Sequence, residues 1–137
     1  MKIDSHESAL DSEPEIQGAL SFQQVQTLTL KNFIFWVLGR LARRRIIGES
    51  MRPTLDPGQE VLIQSIDSPS PNTVTKGMLL YLQHPLNADI QMVKRCSHWE
   101  GTKVWVLGDN AKDSTDSRQF GAIASHFILG HVICTFP

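Results

Sequence analysis

From Gln59 to Phe136 the chain is cut into short apolar runs by turn-forming residues, and this punctuation constrains the fold more than any other feature. Gln59 to Ile66 carries Val61, Leu62 and Ile63, and the runs Val74 to Leu82, Ile90 to Arg95, Lys103 to Leu107 and Ile128 to Phe136 follow at short spacing. Each reads as a β segment. Asp67-Ser68-Pro69-Ser70-Pro71-Asn72 reads as a loop, because two prolines and several turn formers leave little ladder bonding; His84-Pro85-Leu86-Asn87 and Gly108-Asp109-Asn110 read as turns. The expected fold is a mainly antiparallel β domain.

One helix stands in front of it. Residues 26 to 42 place Leu28, Leu30, Phe33, Ile34, Val37, Leu38 and Leu41 at helical spacing, with a basic end at Arg40 to Arg45. This predicts an amphipathic basic helix within residues 26–45, either packed on its own domain or peripheral on anionic lipid with Phe33, Phe35 and Trp36 in the interface. It is too short to span a bilayer, which needs about 20 mainly apolar residues. Ahead of it, Asp4, Glu7, Asp11, Glu13 and Glu15 stand against Lys2 alone, so residues 1–25 read as a disordered acidic tail. Residues 46–137 form the third and main unit.

The 137 residues, 41% of them hydrophobic, suit a single core. A net charge of -1 argues against a nucleic-acid binder. Cys96 and Cys134 belong to no CxxC pair and read as reduced, buried residues of a cytoplasmic protein, which the lack of an apolar leader also suggests. The histidines form no close pair or HExxH, so neither metal nor cofactor is expected.

Two residues point to chemistry. Ser50 lies in Gly48-Glu49-Ser50-Met51-Arg52-Pro53-Thr54-Leu55, and Lys94 follows the apolar stretch Ile90 to Val93. A serine hydroxyl is a poor nucleophile until a base takes its proton, and lysine is such a base only if burial lowers its pKa from roughly 10.4. A third segment, Gly108-Asp109-Asn110 through Ser114, Asp116, Ser117 and Arg118 to Gly121, follows in order.

Together these segments resemble the type I signal peptidase family of serine-lysine endopeptidases, over about Ile46 to Pro137. The resemblance implies a signal-peptidase-like β domain with Ser50 as nucleophile and Lys94 as general base. It implies that Ser114 orients the lysine amine, that Asp116 and Arg118 form an ion pair bracing that loop, and that Asp109 and Asn110 shape the turn beside Lys94. The backbone N–H of Ser50 would donate to the oxyanion, with Gly48 where some relatives carry a hydroxyl. An extended peptide would lie between Ile46, Ile47 and Gly48 on one side and Ile90, Gln91, Met92 and Val93 on the other. Gln59 and Met78 depart from the family, which usually has the aspartate of a Gly-Asp turn at those places.

Only twelve residues separate Arg95 from Gly108, so a hairpin-like link through Cys96 to Gly101 replaces the family's larger insertion. This pared-down middle most resembles the proteases that mature nickel-type superoxide dismutase by removing a short propeptide; nickel would then belong to the substrate. The first alternative is a membrane-associated signal peptidase cutting exported precursors. A self-cleaving repressor-like switch and an inactive β binding module are the others.

Overall fold

The computed structural model describes residues 25–137. Apart from Val25, the acidic tail expected over residues 1–25 lies outside them. Seven strands form one antiparallel sheet: β1 (Ala42–Arg45), β2 (Glu60–Ser65), β3 (Leu79–His84), β4 (Asn87–Glu100), β5 (Lys103–Leu107), β6 (Ile123–Ala124) and β7 (Ile128–Phe136). Their order is β1-β2-β7-β3-β4-β5-β6. Helix α1 (Leu30–Val37) precedes the sheet, and the single turn α2 (Ser117–Phe120) lies between β5 and β6. The expected mainly antiparallel β fold with a short helix in front is what forms.

Both faces of the sheet are covered. On β3, Leu80 and Leu82 join Val104, Val106, Cys96 and Ile128 on one side, while Leu79 and Tyr81 join Val61, Ile63, Met51, Leu55 and Val93 on the other. Leu62 points away from its neighbours on β2, into a third cluster with Leu41 and Cys134. A strand buried on both faces reads as a continuous apolar run, which is why Val61, Leu62 and Ile63 stand together. Full burial of each such side chain contributes about 1.5–3 kcal/mol. Cys96 and Cys134 are unpaired and buried in separate clusters.

Several boundaries differ from the sequence reading. The helix starts where Thr29 Oγ1 accepts from the Asn32 N–H at 3.3 Å and stops before Gly39, whose φ of +76° breaks the helical run. It is therefore eight residues long, not a basic helix over 26–45, and Arg43, Arg44 and Arg45 belong to β1. Residues Val74 to Met78 are a turn rather than the start of β3: Val74 is fully buried, its carbonyl accepts from Trp99 Nε1 at 2.8 Å, and Gly77 turns the chain at φ +94°. Cys96 to Glu100 is strand, not a link, because β4 runs on to a turn at Gly101 and pairs with β5. At the two departures from the family, the turns still close: Gln59 Oε1 accepts from the Asp56 N–H at 3.1 Å and Met78 Sδ from the Thr75 N–H at 3.2 Å.

Helix α1 packs on the domain along one edge only. Trp36 meets Phe136 edge-on at 4.9 Å, and Leu28 and Phe35 share the same cluster. Leu30, Phe33, Ile34, Val37 and Leu38 remain exposed, Leu30 by 75%. No helix among the described residues is long and apolar enough to cross a membrane.

Candidate active site

The nucleophile turn is anchored by its neighbours. Met51 and Leu55 are buried in the core, the Leu55 N–H bonds back to the Met51 carbonyl at 2.9 Å, and half-buried Ser50 is left at the surface of a cleft. Gly48, two residues earlier, sits at φ +82°, a conformation that disfavours any side chain. The Ser50 N–H makes no backbone hydrogen bond among the described residues, so it is available to an oxyanion. Space beside Gly48 is open: a Cβ there would meet nothing within 4 Å.

Lys94 enters the same cleft from β4, and the cleft encloses about 570 Å³. The lysine is only 4% exposed, and desolvation lowers its pKa from the ordinary lysine value; the Asp116 carboxylate opposes that shift and the Arg118 charge adds to it. Lys94 Nζ donates to Ser114 Oγ at 3.2 Å, and Ser114 Oγ donates to Asp116 Oδ2 at 2.6 Å. The direction of this chain matters. With its proton committed to a carboxylate, the Ser114 oxygen can only accept from the lysine, which leaves the lone pair of a neutral amine free for Ser50.

Asp116 is fully buried, and burial works against its charge. Hydrogen bonds from the Arg118 guanidinium, Ser114 and the N–H groups of Gly108 and Arg118 outweigh that and hold the carboxyl well below the usual carboxylate range. The ion pair with Arg118 is 2.6 Å, and Arg118 also donates to the Gly108 carbonyl at 3.1 Å. Asp116 doubles as the N-cap of α2, in a capping box with Gln119. The expected brace between Asp116 and Arg118 is thus present, and Ser114 hangs directly from it.

Asp109 and Asn110 do more than shape a turn. Asp109 takes Arg95 in two hydrogen bonds, 2.8 Å to Nε and 2.7 Å to a terminal nitrogen, and accepts from Thr54 Oγ1 at 2.5 Å. The Asn110 N–H donates to the Ser50 carbonyl at 2.8 Å, and its side chain to the Glu49 carbonyl at 3.1 Å. One loop therefore holds the strand of the lysine and the turn of the serine together. Sequence reasoning did not single out Gly108, Thr54 or Arg95 for this. The signal was there in their fixed company: the glycine before Asp109-Asn110, the threonine after Pro53 and the arginine after Lys94.

Ile46 and Ile47 on one side and Ile90, Gln91, Met92 and Val93 on the other line the cleft. Gln91, Met92 and Val93 belong to β4, where residues up to Lys94 pair with β3 alone and the ladder to β5 begins at Arg95. Their far edge is unpaired and open to an added strand. On the other side, Ile46 and Ile47 follow β1 rather than forming a strand of their own. Ile46 stays bonded to Gly58 and Gln59 at 2.8 Å, because the turn preceding β2 folds back onto it, while Ile47 is 91% exposed. Ile90 lines the cleft and is half exposed.

Residues 99–136 match the family model described as signal peptidase, peptidase S26. The matched stretch holds Gly108, Ser114, Asp116 and Arg118, and lies downstream of Ser50 and Lys94. No curated protein matches the chain closely enough to serve as a relative. The family match supports a signal-peptidase-like hydrolase acting on peptide bonds.

Proposed function

We propose that this chain is a serine endopeptidase with a Ser50-Lys94 dyad that removes the N-terminal propeptide of a nickel-type superoxide dismutase. The observation that carries the dyad is the buried Lys94, held by Ser114 in the cleft that also contains Ser50. Neutral Lys94 takes the Ser50 proton as Oγ attacks the scissile carbonyl, and the Ser50 N–H faces the developing oxyanion. The protonated lysine then gives its proton to the leaving amine as the C–N bond breaks. Water attacks the acyl-serine ester with Lys94 again as base, the acid product leaves, and Ser50 recovers its proton.

For the substrate, the support is the economy of the middle of the chain. β4 turns directly into β5 at Gly101, with no inserted domain between the lysine strand and the Gly108 loop. A peptidase domain with so short a connection between these strands suits one dedicated precursor in the cytoplasm. The test is incubation with unprocessed nickel superoxide dismutase precursor and mass spectrometry of the new N-terminus. Defined cleavage that disappears in Ser50→Ala and in Lys94→Ala is expected; processing by both variants would sink the mechanism, and an intact precursor with the wild type would sink the substrate.

One observation favours a second reading, a signal peptidase working at a membrane surface on exported precursors. The exposed stripe of Leu30, Phe33, Ile34, Val37 and Leu38 has Lys31 and Arg40 beside it. Flotation with anionic vesicles that is lost on changing Phe33 and Val37 to serine would favour it.

A further inference from the structure

The cleft that contains Ser50 also holds charge that peptide hydrolysis does not need. Arg43 and Arg45 both pair with Glu60, but Arg44 pairs with no carboxylate among the described residues. Its Nε donates to the Tyr81 hydroxyl at 3.2 Å and a terminal nitrogen to the Arg43 carbonyl at 2.9 Å. The guanidinium carbon lies 5.8 Å from the centre of the Tyr81 ring. The Tyr81 hydroxyl in turn donates to Gln91 Oε1 at 2.6 Å. A chain of polar groups thus crosses from β1 over β3 to β4, and it orients a cation by neutral partners that leave the charge uncompensated. Of the residues lining the cleft, Asp89 is the sole carboxylate, and it is exposed.

From this geometry we infer that the cleft selects peptides carrying an acidic side chain about three residues from the scissile bond, received by Arg44. The inference rests on the peptidase reading of the same cleft and names its substrate class. Gln91 precedes Lys94 by three residues on β4. A peptide added alongside advances in step with that strand, at about 3.3 Å per residue. The residue beside Gln91 is then the third from the reacting bond, and Gln91 is joined through Tyr81 to Arg44. A carboxylate there gains a charge-assisted pair with a guanidinium already held in place. An apolar side chain there would strip water from Arg44 and offer nothing in return. The substrate class that follows is a leader with an acid near its cleavage site, in contrast to the apolar leader of an exported precursor.

The experiment uses the full chain and a set of synthetic peptides with alanine flanking the scissile bond and Asp, Glu, Gln, Lys or Leu at each of the four positions on either side. Cuts and initial rates are read by mass spectrometry, with Ser50→Ala as the blank. The wild type should prefer Asp or Glu over Lys by about tenfold or more at one position near the third, the scale of a hydrogen bond to a charged group. Arg44→Glu should invert that ratio in favour of Lys, and Arg44→Gln should bring it near one. Ser50-dependent cuts with no acidic preference, or a preference unchanged in Arg44→Glu, overturn the inference and leave the peptidase reading standing. No Ser50-dependent cut in any peptide overturns both.

Discussion

Gly108 lies against Ser114 so closely that a Cβ on the glycine would stand 2.1 Å from Ser114 Oγ, 2.6 Å from its Cβ and 2.8 Å from the backbone oxygen of Ser50. The loop that positions the lysine's partner and the turn that carries the nucleophile cross at a point with no room for a methyl group. Gly108→Ala must push one of them away, and the Ser50 carbonyl is itself tied to Asn110. The expected outcome is a loss of kcat of about 100-fold, since displacing a reacting group by 1 Å is enough for that. Kinetics together with circular dichroism check it; a folded Gly108→Ala protein with wild-type kcat would refute the crossing as a constraint.

Ser114→Ala removes the acceptor for Lys94 Nζ without touching Ser50. The reaction should slow by about ten- to a thousandfold, at or below the roughly 100- to 10,000-fold that a positioned proton-transfer group contributes, because Ser114 orients the base without replacing it. Substrate KM should change little. The pH profile should shift as well, because the amine would exchange an oriented hydroxyl for a rotating environment; an unmoved profile would reduce Ser114 to a turn residue.

The depressed pKa of Lys94 has a direct kinetic consequence. Only the neutral amine is a base, so kcat/KM should rise with pH by up to about tenfold per unit until the lysine's pKa in the folded enzyme is passed. That plateau should arrive below the ordinary lysine value. A rate that is flat from mildly acidic to alkaline pH would rule out a titrating base.

Lys94 should also weaken the fold that uses it. Between its lowered folded pKa and the ordinary unfolded value, the unfolded chain binds more protons, so stability rises with pH across that window and is poorest below it. Lys94→Met keeps the volume and removes the buried amine. It should abolish activity while raising stability at neutral pH by about 1 kcal/mol, or roughly 4 °C in Tm. A lower Tm for Lys94→Met would show that the amine's bond to Ser114 outweighs its desolvation.

Asp116 shares that pH slope but strengthens the fold where Lys94 weakens it. Its folded carboxyl is held far down by Arg118, Ser114 and two N–H groups against the pull of burial, so its contribution is present above the unfolded pKa near 4 and is lost as pH falls below that. Asp116→Asn should cost about 1–3 kcal/mol at neutral pH, the penalty for leaving buried donors without their acceptor, since Arg118 itself reaches solvent. Its denaturant midpoint should also depend less on pH in the acid range. Equal acid sensitivity in both proteins would place the sensitive carboxyl elsewhere.

The strands and the site were not equally legible in the sequence. β5 and β7 stand where the apolar runs Lys103 to Leu107 and Ile128 to Phe136 place them; Gly101 and Gly108-Asp109-Asn110 bound the first, and Pro137 ends the second. The helix was overread: periodicity ran through Leu41, but Gly39 in a left-handed conformation and the attraction of Arg43 and Arg45 to Glu60 drew the basic run into the sheet. Motif order brought Ser50, Lys94 and Ser114 into view. Their cross-links were not visible, since the two bonds between Arg95 and Asp109 and the hydroxyl of Thr54 join positions that only the folded chain makes neighbours.

The open stretch of β4 has a further meaning. Backbone donors and acceptors left unpaired along Gln91 to Val93 can pair with an extended chain that is never cut. Self-association through this edge would occlude the cleft reversibly. Specific activity should then fall as the protein is concentrated, and short non-cleavable peptides should restore the monomer while competing with substrate.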